Sequence, residues 1–214
     1  MGDADTGLRG GLMPPHLILQ HFLPADDAAQ FLAYAIAHRD IFKPTKTGVA
    51  EKGAVREHIR NSVGTRKLGP FTEILSAALH KRLPELFAGA GIAPFLPDGL
   101  DLQCVAHGDG GFYKRHIGTQ TVESVEQLRV LTGVYYLHRA PKAYTGGGLR
   151  LYAIGNPSGH LFTDIEAAHN TLVVFPAFAP HEVLPVHCPS NDDVDARYSV
   201  NCWFYRKRAN PKSV

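Results

Sequence analysis

The chain has 214 residues, of which 44% are hydrophobic and 20% are charged. This composition excludes an intrinsically disordered chain, and the length favours one domain with an appendage. The net charge of +2 gives no indication of binding to nucleic acid or to a membrane surface.

No secretory or membrane-spanning segment is predicted. Residues 1–15 are rich in Gly, Asp and Pro, which is typical of a flexible terminal arm. The most apolar stretch, residues 172–180, is about half the length that a membrane helix needs and contains two prolines. The chain has only three cysteines, and a small, odd number argues against a disulfide framework. We therefore expect a cytoplasmic protein, either a monomer or a homodimer.

Apolar residues at helical spacing predict two helices in the first part of the chain. The helix within residues 23–42 has the apolar positions Ala28, Phe31, Leu32, Ala35 and Ile36. The helix that follows Pro70 has the apolar positions Phe71, Ile74, Leu75, Ala78 and Leu79. Pro84 is expected to break the second pattern.

Residues 43–67 form a basic segment that holds seven Lys or Arg residues and only two Glu residues. Its interspersed glycines indicate a mobile loop, with room for a short strand near Ile59. Two interpretations stay open, a solvated loop and a lid that closes over an anionic substrate.

After about residue 100 the sequence changes to eight short β-rich segments separated by Gly, Pro and Asn. Such regular turn signals predict an antiparallel sandwich or jelly roll, with the helices packed outside one sheet. We predict a mainly β protein, a cupin-like double-stranded β-helix with N-terminal helices. The single domain is expected to span residues 16–214, with a helical part at 16–99 and a jelly-roll core at 100–206.

Three residues near predicted strand ends have side chains suited to ligand binding. His116 and His181 each begin or end a predicted strand, and histidine is the commonest metal ligand. On the predicted strand that begins at Arg197, strand alternation directs Arg197, Ser199 and Asn201 to one face. Tyr198, Val200 and Cys202 then point to the other face. A cation inside a barrel requires an anion. Each histidine taken alone also fits a hydrogen-bonded structural role.

Five ordered motifs over residues 100–206 resemble those of the Fe(II)- and 2-oxoglutarate-dependent oxygenases, in particular the prolyl-hydroxylase-like branch. In this sequence the motifs are GGFYKRH at 110–116, VYYLH at 134–138, GGGLRLY at 146–152, HEV at 181–183 and RYSVNCW at 197–203.

The resemblance implies Fe(II), 2-oxoglutarate and O2, with ascorbate as an optional reductant. It assigns His116 and His181 to the iron, and Arg197 and Tyr136 to the distal carboxylate of 2-oxoglutarate. Neutral imidazole suits Fe(II), and a guanidinium can bind a carboxylate through two parallel hydrogen bonds. Tyr113 is expected to line the pocket, with simple packing as the alternative.

The sequence departs from the family pattern at Gly118, where the resemblance calls for a carboxylate two residues after the first histidine. Glycine at this position resembles the 2-oxoglutarate-dependent halogenases, which bind chloride in the vacant ligand position. Chlorination of an aliphatic carbon, with conversion of 2-oxoglutarate to succinate, is therefore the favoured reaction. Hydroxylation, either natural or in an Asp-to-Gly variant of a hydroxylase, and a non-catalytic binding module are the alternatives.

Two further groups of residues are considered as metal ligands. Glu123 or Asp109 could replace the missing carboxylate, although neither has the correct strand spacing. The neighbouring His187 and Cys188 have no companion motif for a second metal site, so we interpret them as part of a loop. The substrate is expected to be a small molecule, an amino acid or a peptide, with no nucleic-acid or membrane partner.

Overall fold

The computed structural model describes residues 11–47, 54–119, 127–156 and 158–207. Its α-helices are α1 (Ala25–Ala37), α2 (Phe71–Lys81) and α3 (Leu83–Gly89). The strands of the first half are β1 (Leu17–Gln20), β2 (Lys43–Pro44), β3 (Arg60–Asn61), β4 (Val63–Thr65), β5 (Gly99–His107) and β6 (Phe112–His116). Those of the second half are β7 (Gln127–Leu137), β8 (Thr145–Gly146), β9 (Leu149–Tyr152), β10 (Phe162–Ile165), β11 (Thr171–Pro176), β12 (His181–Val183), β13 (Val186–His187) and β14 (Arg197–Lys207).

The strands form two main antiparallel sheets. The larger sheet has seven strands in the order β1-β11-β7-β14-β5-β4-β2, and the smaller has five in the order β10-β9-β12-β6-β3. A two-stranded ribbon pairs β13 with β8. The predicted fold class, a mainly β jelly roll with N-terminal helices, is confirmed. In the described part of the chain, no helix combines the length and the apolar character needed to cross a lipid bilayer.

The long central strand β14 shows how sequence alternation separates the core from the cavity. Tyr198, Val200 and Cys202 are buried in the hydrophobic cluster that contains the helices. Arg197, like the other alternate positions of the strand, lines the cavity between the sheets. The predicted alternation of this strand is therefore confirmed, and it places polar side chains where a ligand can reach them.

The helices cover the outer face of the larger sheet. Phe31 of α1 stacks on Phe71 of α2 with ring centroids 4.6 Å apart, and Leu75 and Leu79 are fully buried. Each such side chain contributes about 1.5–3 kcal/mol by leaving water. This packing supports the larger sheet from behind and leaves its inner face for the cavity.

The helical pattern of α2 breaks before Pro84, as the sequence analysis expected, but the helical region continues beyond it. Pro84 lies in the first turn of α3, which follows α2 after a single residue, Arg82. Proline is tolerated in a first turn because the backbone N–H there has no intrahelical partner. The prediction of a helix break was correct, but a further helix begins at the break.

The basic segment is more ordered than the predicted loop wherever the structure describes it. β4 pairs with β5 of the larger sheet, and β3 pairs with β6 of the smaller sheet. Residues 48–53 of the segment lie outside the described ranges. Near the N-terminus, Leu12 forms an antiparallel bridge with Ile154, so the end of the predicted arm contacts the folded domain. Residues 1–10 lie outside the described ranges.

Candidate active site

A cavity of about 770 Å³ lies between the two sheets. This volume falls within the range of about 300–1,000 Å³ that is usual for small-molecule sites. The residues that border it come from both sheets and from the segment at 43–46. The cavity contains the two histidines and the arginine that the sequence analysis selected.

His116 and His181 are brought together by the pairing of β6 with β12. They are direct register partners, and their ring centroids lie 4.2 Å apart. The Nδ1 atom of His116 donates to the carbonyl oxygen of Lys114 at 2.8 Å, and that of His181 donates to Ala179 at 2.8 Å. Because both Nδ1 atoms are committed, the two Nε2 atoms remain as acceptors, which is the usual arrangement of metal-binding histidines.

Burial keeps both imidazoles neutral. Removal from water is the largest cause that lowers the pKa of His181 to about 4, and it also lowers the pKa of His116 well below its usual value. The proximity of His181 lowers the pKa of His116 further. A neutral imidazole is the form that binds a metal, so both side chains are in this form at neutral pH.

Aromatic contacts fix the orientation of the two imidazoles. Tyr113 stacks on His116 with centroids 3.5 Å apart, and Phe175 meets His181 edge-on at 4.8 Å. Tyr113 also lines the cavity, as the sequence analysis expected. The rings therefore need little further ordering when a ligand binds.

Arg197 is a fully buried cation at the inner end of the cavity. Its Nε donates to the carbonyl oxygen of Gly147 at 2.6 Å, and its Nη1 lies 3.2 Å from Ser199 Oγ and 3.2 Å from His107 Nδ1. None of these partners carries a negative charge. A buried guanidinium without an anion is strongly unfavourable, so this geometry favours an anionic ligand.

Three buried polar atoms at or next to Arg197 have no hydrogen-bond partner within the described residues. They are Arg197 Nη2, Tyr136 Oη and His107 Nε2. A fourth such atom, Thr132 Oγ1, lies beside Gly118 instead. The ring of Tyr136 lies 5.0 Å from the guanidinium carbon of Arg197. Buried groups of this kind are usually paired, so a cluster of them indicates a polar ligand that completes their hydrogen bonds.

His107 is a site residue that the sequence analysis missed. Because a guanidinium only donates, His107 Nδ1 must accept from Arg197, and the ring proton therefore lies on Nε2. Burial, followed by the nearby charge of Arg197, lowers the pKa of His107 well below its usual value. The strand end before the turn at 108–110 was the available signal, the same one that identified His116.

Gly118 closes the turn after β6 against Ala177. The amide groups of Gly118 and Thr119 both donate to the carbonyl oxygen of Ala177, at 2.7 and 3.0 Å. The backbone of Gly118 is not in the left-handed region, so its conformation does not require glycine. A Cβ atom here would lie 3.1 Å from Ala177 O and 3.1 Å from Thr132 Oγ1, which is tight but needs only small shifts.

The structure brings no third ligand to the imidazoles from the residues that it describes. Within those residues, no three His, Cys, Asp or Glu side chains form a metal-binding group. Asp109 is engaged elsewhere, because its carboxylate accepts from the amide of Cys188 at 2.7 Å and lies 3.2 Å from His187. This contact removes Asp109 as a substitute ligand. Glu123 lies outside the described ranges.

The described residues fit iron and 2-oxoglutarate. Two neutral imidazoles with free Nε2 atoms suit Fe(II), and the unpaired atoms around Arg197 suit a carboxylate. The fit rests on the donor atoms themselves, independently of the motif resemblance.

Comparisons with known proteins agree with this arrangement. Residues 102–205 match the family model described as "2OG-Fe(II) oxygenase superfamily". An uncharacterized PKHD-type hydroxylase of Synechocystis is 26% identical over 194 residues, which cover 88% of this chain and 62% of that protein. The chain therefore spans less than two thirds of the length of this curated relative.

Two solved structures have a similar fold. A Pseudomonas putida prolyl-4-hydroxylase superposes with a TM-score of 0.65 at 23% identity, covering 92% of this chain and 94% of that one. A prolyl hydroxylase from Trichoplax adhaerens, solved with a peptide fragment of the hypoxia inducible factor oxygen degradation domain, gives a TM-score of 0.66 at 19% identity. The coverage in that case is 90% of this chain and 84% of the other.

Proposed function

We propose that the chain, whose residues 102–205 match the model of the 2OG-Fe(II) oxygenase superfamily, is an iron- and 2-oxoglutarate-dependent enzyme that oxidises an aliphatic C–H bond. In the hydroxylation form of the reaction, one oxygen atom of O2 enters the product and the other enters succinate, while 2-oxoglutarate loses CO2. The proposal is carried by one observation. Buried polar atoms that have no partner among the described residues lie around Arg197, in the same cavity as two imidazoles whose Nδ1 atoms are bonded and whose Nε2 atoms can accept.

His116 and His181 would hold the iron through their Nε2 atoms. Bound iron, together with 2-oxoglutarate, supplies the oxidising chemistry that amino-acid side chains lack. The protein contributes by holding both rings in one orientation, through the carbonyl oxygens of Lys114 and Ala179 and through the stacked ring of Tyr113.

Arg197, Tyr136 and His107 would hold the distal carboxylate of 2-oxoglutarate. Each has a buried donor atom with no partner in the described chain, so a carboxylate would complete all three at once. The guanidinium cannot swing away, because its Nε is bonded to Gly147 and its side chain is fully buried. The bound cosubstrate would therefore be held in a fixed orientation.

An apolar cluster on the same side of the cavity excludes water from this part of the site. Val134, Phe175 and Leu151 belong to it and are buried. Charge-assisted hydrogen bonds are stronger in such surroundings than in water. The cluster thus strengthens carboxylate binding and limits side reactions with solvent.

Hydroxylation is the reaction that we propose first, because the relatives described above are named hydroxylases. Chlorination, the favoured expectation of the sequence analysis, has no support from these relatives. It is kept as the second candidate because of Gly118, where the backbone permits a side chain and the sequence provides none. A small anion such as chloride could occupy the ligand position that results.

The proposed function is tested by anaerobic addition of Fe(II) and 2-oxoglutarate. We expect a weak visible charge-transfer band in the wild-type protein, and no such band in the variant His181→Ala. Absence of the band in the wild type, with no binding of 2-oxoglutarate by calorimetry, would contradict the proposal.

Chloride titration of the same sample separates the two reactions. A halogenase should show a chloride-dependent shift of the band and tighter 2-oxoglutarate binding, whereas a hydroxylase should show neither. The variant Gly118→Asp serves as the matched control, because an aspartate would occupy the chloride position after small movements of Thr132 and Ala177. A wild-type protein that responds to chloride no more than this variant excludes chlorination.

A further inference from the structure

The outer part of the cavity holds positive charges that neither metal binding nor 2-oxoglutarate binding uses. Lys43, Lys46, Arg60 and Arg129 border it, and none forms an ion pair with another residue of the described ranges. The described lining contains one carboxylate, Asp101. That carboxylate is already bound by Arg66 through two hydrogen bonds of 3.0 and 2.9 Å.

Arg60 is the most informative of these cations because it is buried. Only 7% of the residue is exposed, and its one hydrogen bond to another described side chain runs from Nε to Ser62 Oγ at 2.9 Å. Burial, with further contributions from neighbouring arginines, lowers the pKa of Arg60 to about 10. The guanidinium is still protonated at neutral pH, so Arg60 keeps a buried charge that no carboxylate of the described residues neutralises.

The position of Arg60 links this charge to the reacting end of the cavity. Arg60 on β3 is the register partner of Tyr113 on β6, and its guanidinium lies over the Tyr113 ring at 4.6 Å. The imidazole of His116 stacks on the same Tyr113 ring, with the two ring centroids 3.5 Å apart. These two distances place the guanidinium within about 8 Å of the His116 imidazole.

Arg129 forms the second part of the same charged surface. Its guanidinium lies 4.0 Å from the ring centroid of Trp203, and its Nε donates to Tyr205 Oη at 2.9 Å. These contacts hold the side chain in place without neutralising it. Stacked guanidinium groups of this kind suit oxyanions, because their remaining N–H groups keep a fixed planar arrangement.

We propose that the substrate is a small molecule that carries an oxyanion, a carboxylate or a phosphate, and that Arg60 binds this group with Arg129 beside it. This inference rests on the proposed function of the site. A molecule held in this way would present carbon atoms a few bonds from its anionic group to the two imidazoles. Arg60 would then determine which C–H bond is oxidised.

The test uses a panel of matched probes with the protein loaded with Mn(II) and 2-oxoglutarate in the absence of O2. One arm pairs carboxylic acids with their carboxamides, and a second arm pairs phosphate monoesters with their parent alcohols. Binding is measured by calorimetry. We expect binding to be confined to the anionic members, and the arm that gives the tighter binding identifies the oxyanion.

Variants then assign the binding to Arg60. Arg60→Gln should weaken the best anionic probe by about 10- to 100-fold, the usual effect of losing a charge-assisted hydrogen-bond pair. Arg60→Lys should give an intermediate loss, because an ammonium lacks the planar pair of donors. Arg66→Gln changes the net charge of the cavity equally, but Arg66 is already paired with Asp101, so we expect less than about a threefold change.

Several results would overturn the inference. They are binding of neutral and anionic probes with equal affinity, no binding of any anionic probe, and equal losses in Arg60→Gln and Arg66→Gln. If Arg60→Gln fails to fold, the comparison of acids with amides in the wild type still decides. Failure of the proposed function would appear differently, as a wild-type protein that does not bind 2-oxoglutarate at all.

Discussion

Replacement of Arg197 by methionine should remove 2-oxoglutarate binding while keeping the fold. Methionine fills much of the buried volume but cannot pair with a carboxylate. Truncating one partner of a buried charged pair costs about 2–5 kcal/mol. A loss of about 3 kcal/mol weakens binding by roughly 100-fold or more. His107 and Tyr136 cannot replace the lost charge, because both are neutral donors in this site.

The size of the effect can be expressed as a thermal shift. At a concentration 100 times its Kd, a ligand stabilises the folded state by about 2.7 kcal/mol. For a domain of this size that corresponds to a rise in Tm of about 5–10 °C. In Arg197→Met the same concentration would be near the weakened Kd, which leaves about 0.4 kcal/mol and a rise of about 1 °C.

The assay is a melting curve with Mn(II) present, with and without 2-oxoglutarate. Arg150→Met is the matched control, because it also removes an arginine, one whose partner is Asp164 rather than a group of the cavity. We expect this control to keep the full ligand-dependent shift. A full shift in Arg197→Met would refute the reasoning that this guanidinium binds the cosubstrate.

The other predictions concern the hydroxyl group, the metal ligand and the fold. Tyr136→Phe removes one unpartnered buried hydroxyl, so 2-oxoglutarate should bind about 3- to 10-fold more weakly by calorimetry, and an unchanged Kd would argue against a contact. His181→Ala should abolish Mn(II) binding, measured by electron paramagnetic resonance, and retained stoichiometric binding would exclude this histidine as a ligand. Asn170→Ala should lower Tm by about 5–10 °C, because the buried Asn170 joins Leu23 and Tyr135 through three hydrogen bonds. Asn191 is exposed and has a similar positive φ, so Asn191→Ala should lower Tm much less. Equal losses of Tm in the two variants would show that the backbone conformation, and not the hydrogen bonds, accounts for the effect.

Those parts of the fold that depend on local periodicity were predictable from the sequence. The two amphipathic helices and all eight β-rich segments appear where the pattern indicated them. The alternation of β14 correctly separated Arg197 from Tyr198. These features need only neighbouring residues to define them. The short strand expected near Ile59 is β3, at Arg60–Asn61. Strands β1 and β4 were not predicted individually, because they form through pairing with distant strands.

The positions of His107, which was missed, and of Arg60, which was placed only within the basic segment, have the same physical origin. His107 meets Arg197 because the register of β5 and β14 pairs them across 90 positions of the chain. Arg60 reaches Tyr113 in the same way, through the pairing of β3 with β6. Neither register can be read from one sequence, since a slip of one residue would direct each side chain to the opposite face. The motif residues could be recognised only because their order along the chain resembles a known pattern.

The charge balance of the cavity gives these observations a common explanation. Its described lining contains six Lys or Arg residues and one carboxylate, which is neutralised by Arg66. Glycine at position 118 removes the further negative charge that an aspartate would bring. Bound 2-oxoglutarate would contribute two negative charges, and its distal carboxylate would neutralise Arg197 while Arg60 and Arg129 kept their charge. Among the described residues no further anion balances these charges, so the proposed anionic substrate would supply one under hydroxylation. Under chlorination, chloride would supply one negative charge close to Gly118. It would not neutralise Arg60, whose guanidinium lies over the Tyr113 ring. Arg60 has no anionic partner in the part of the chain that the structure describes, and this favours an anionic substrate under either proposed reaction.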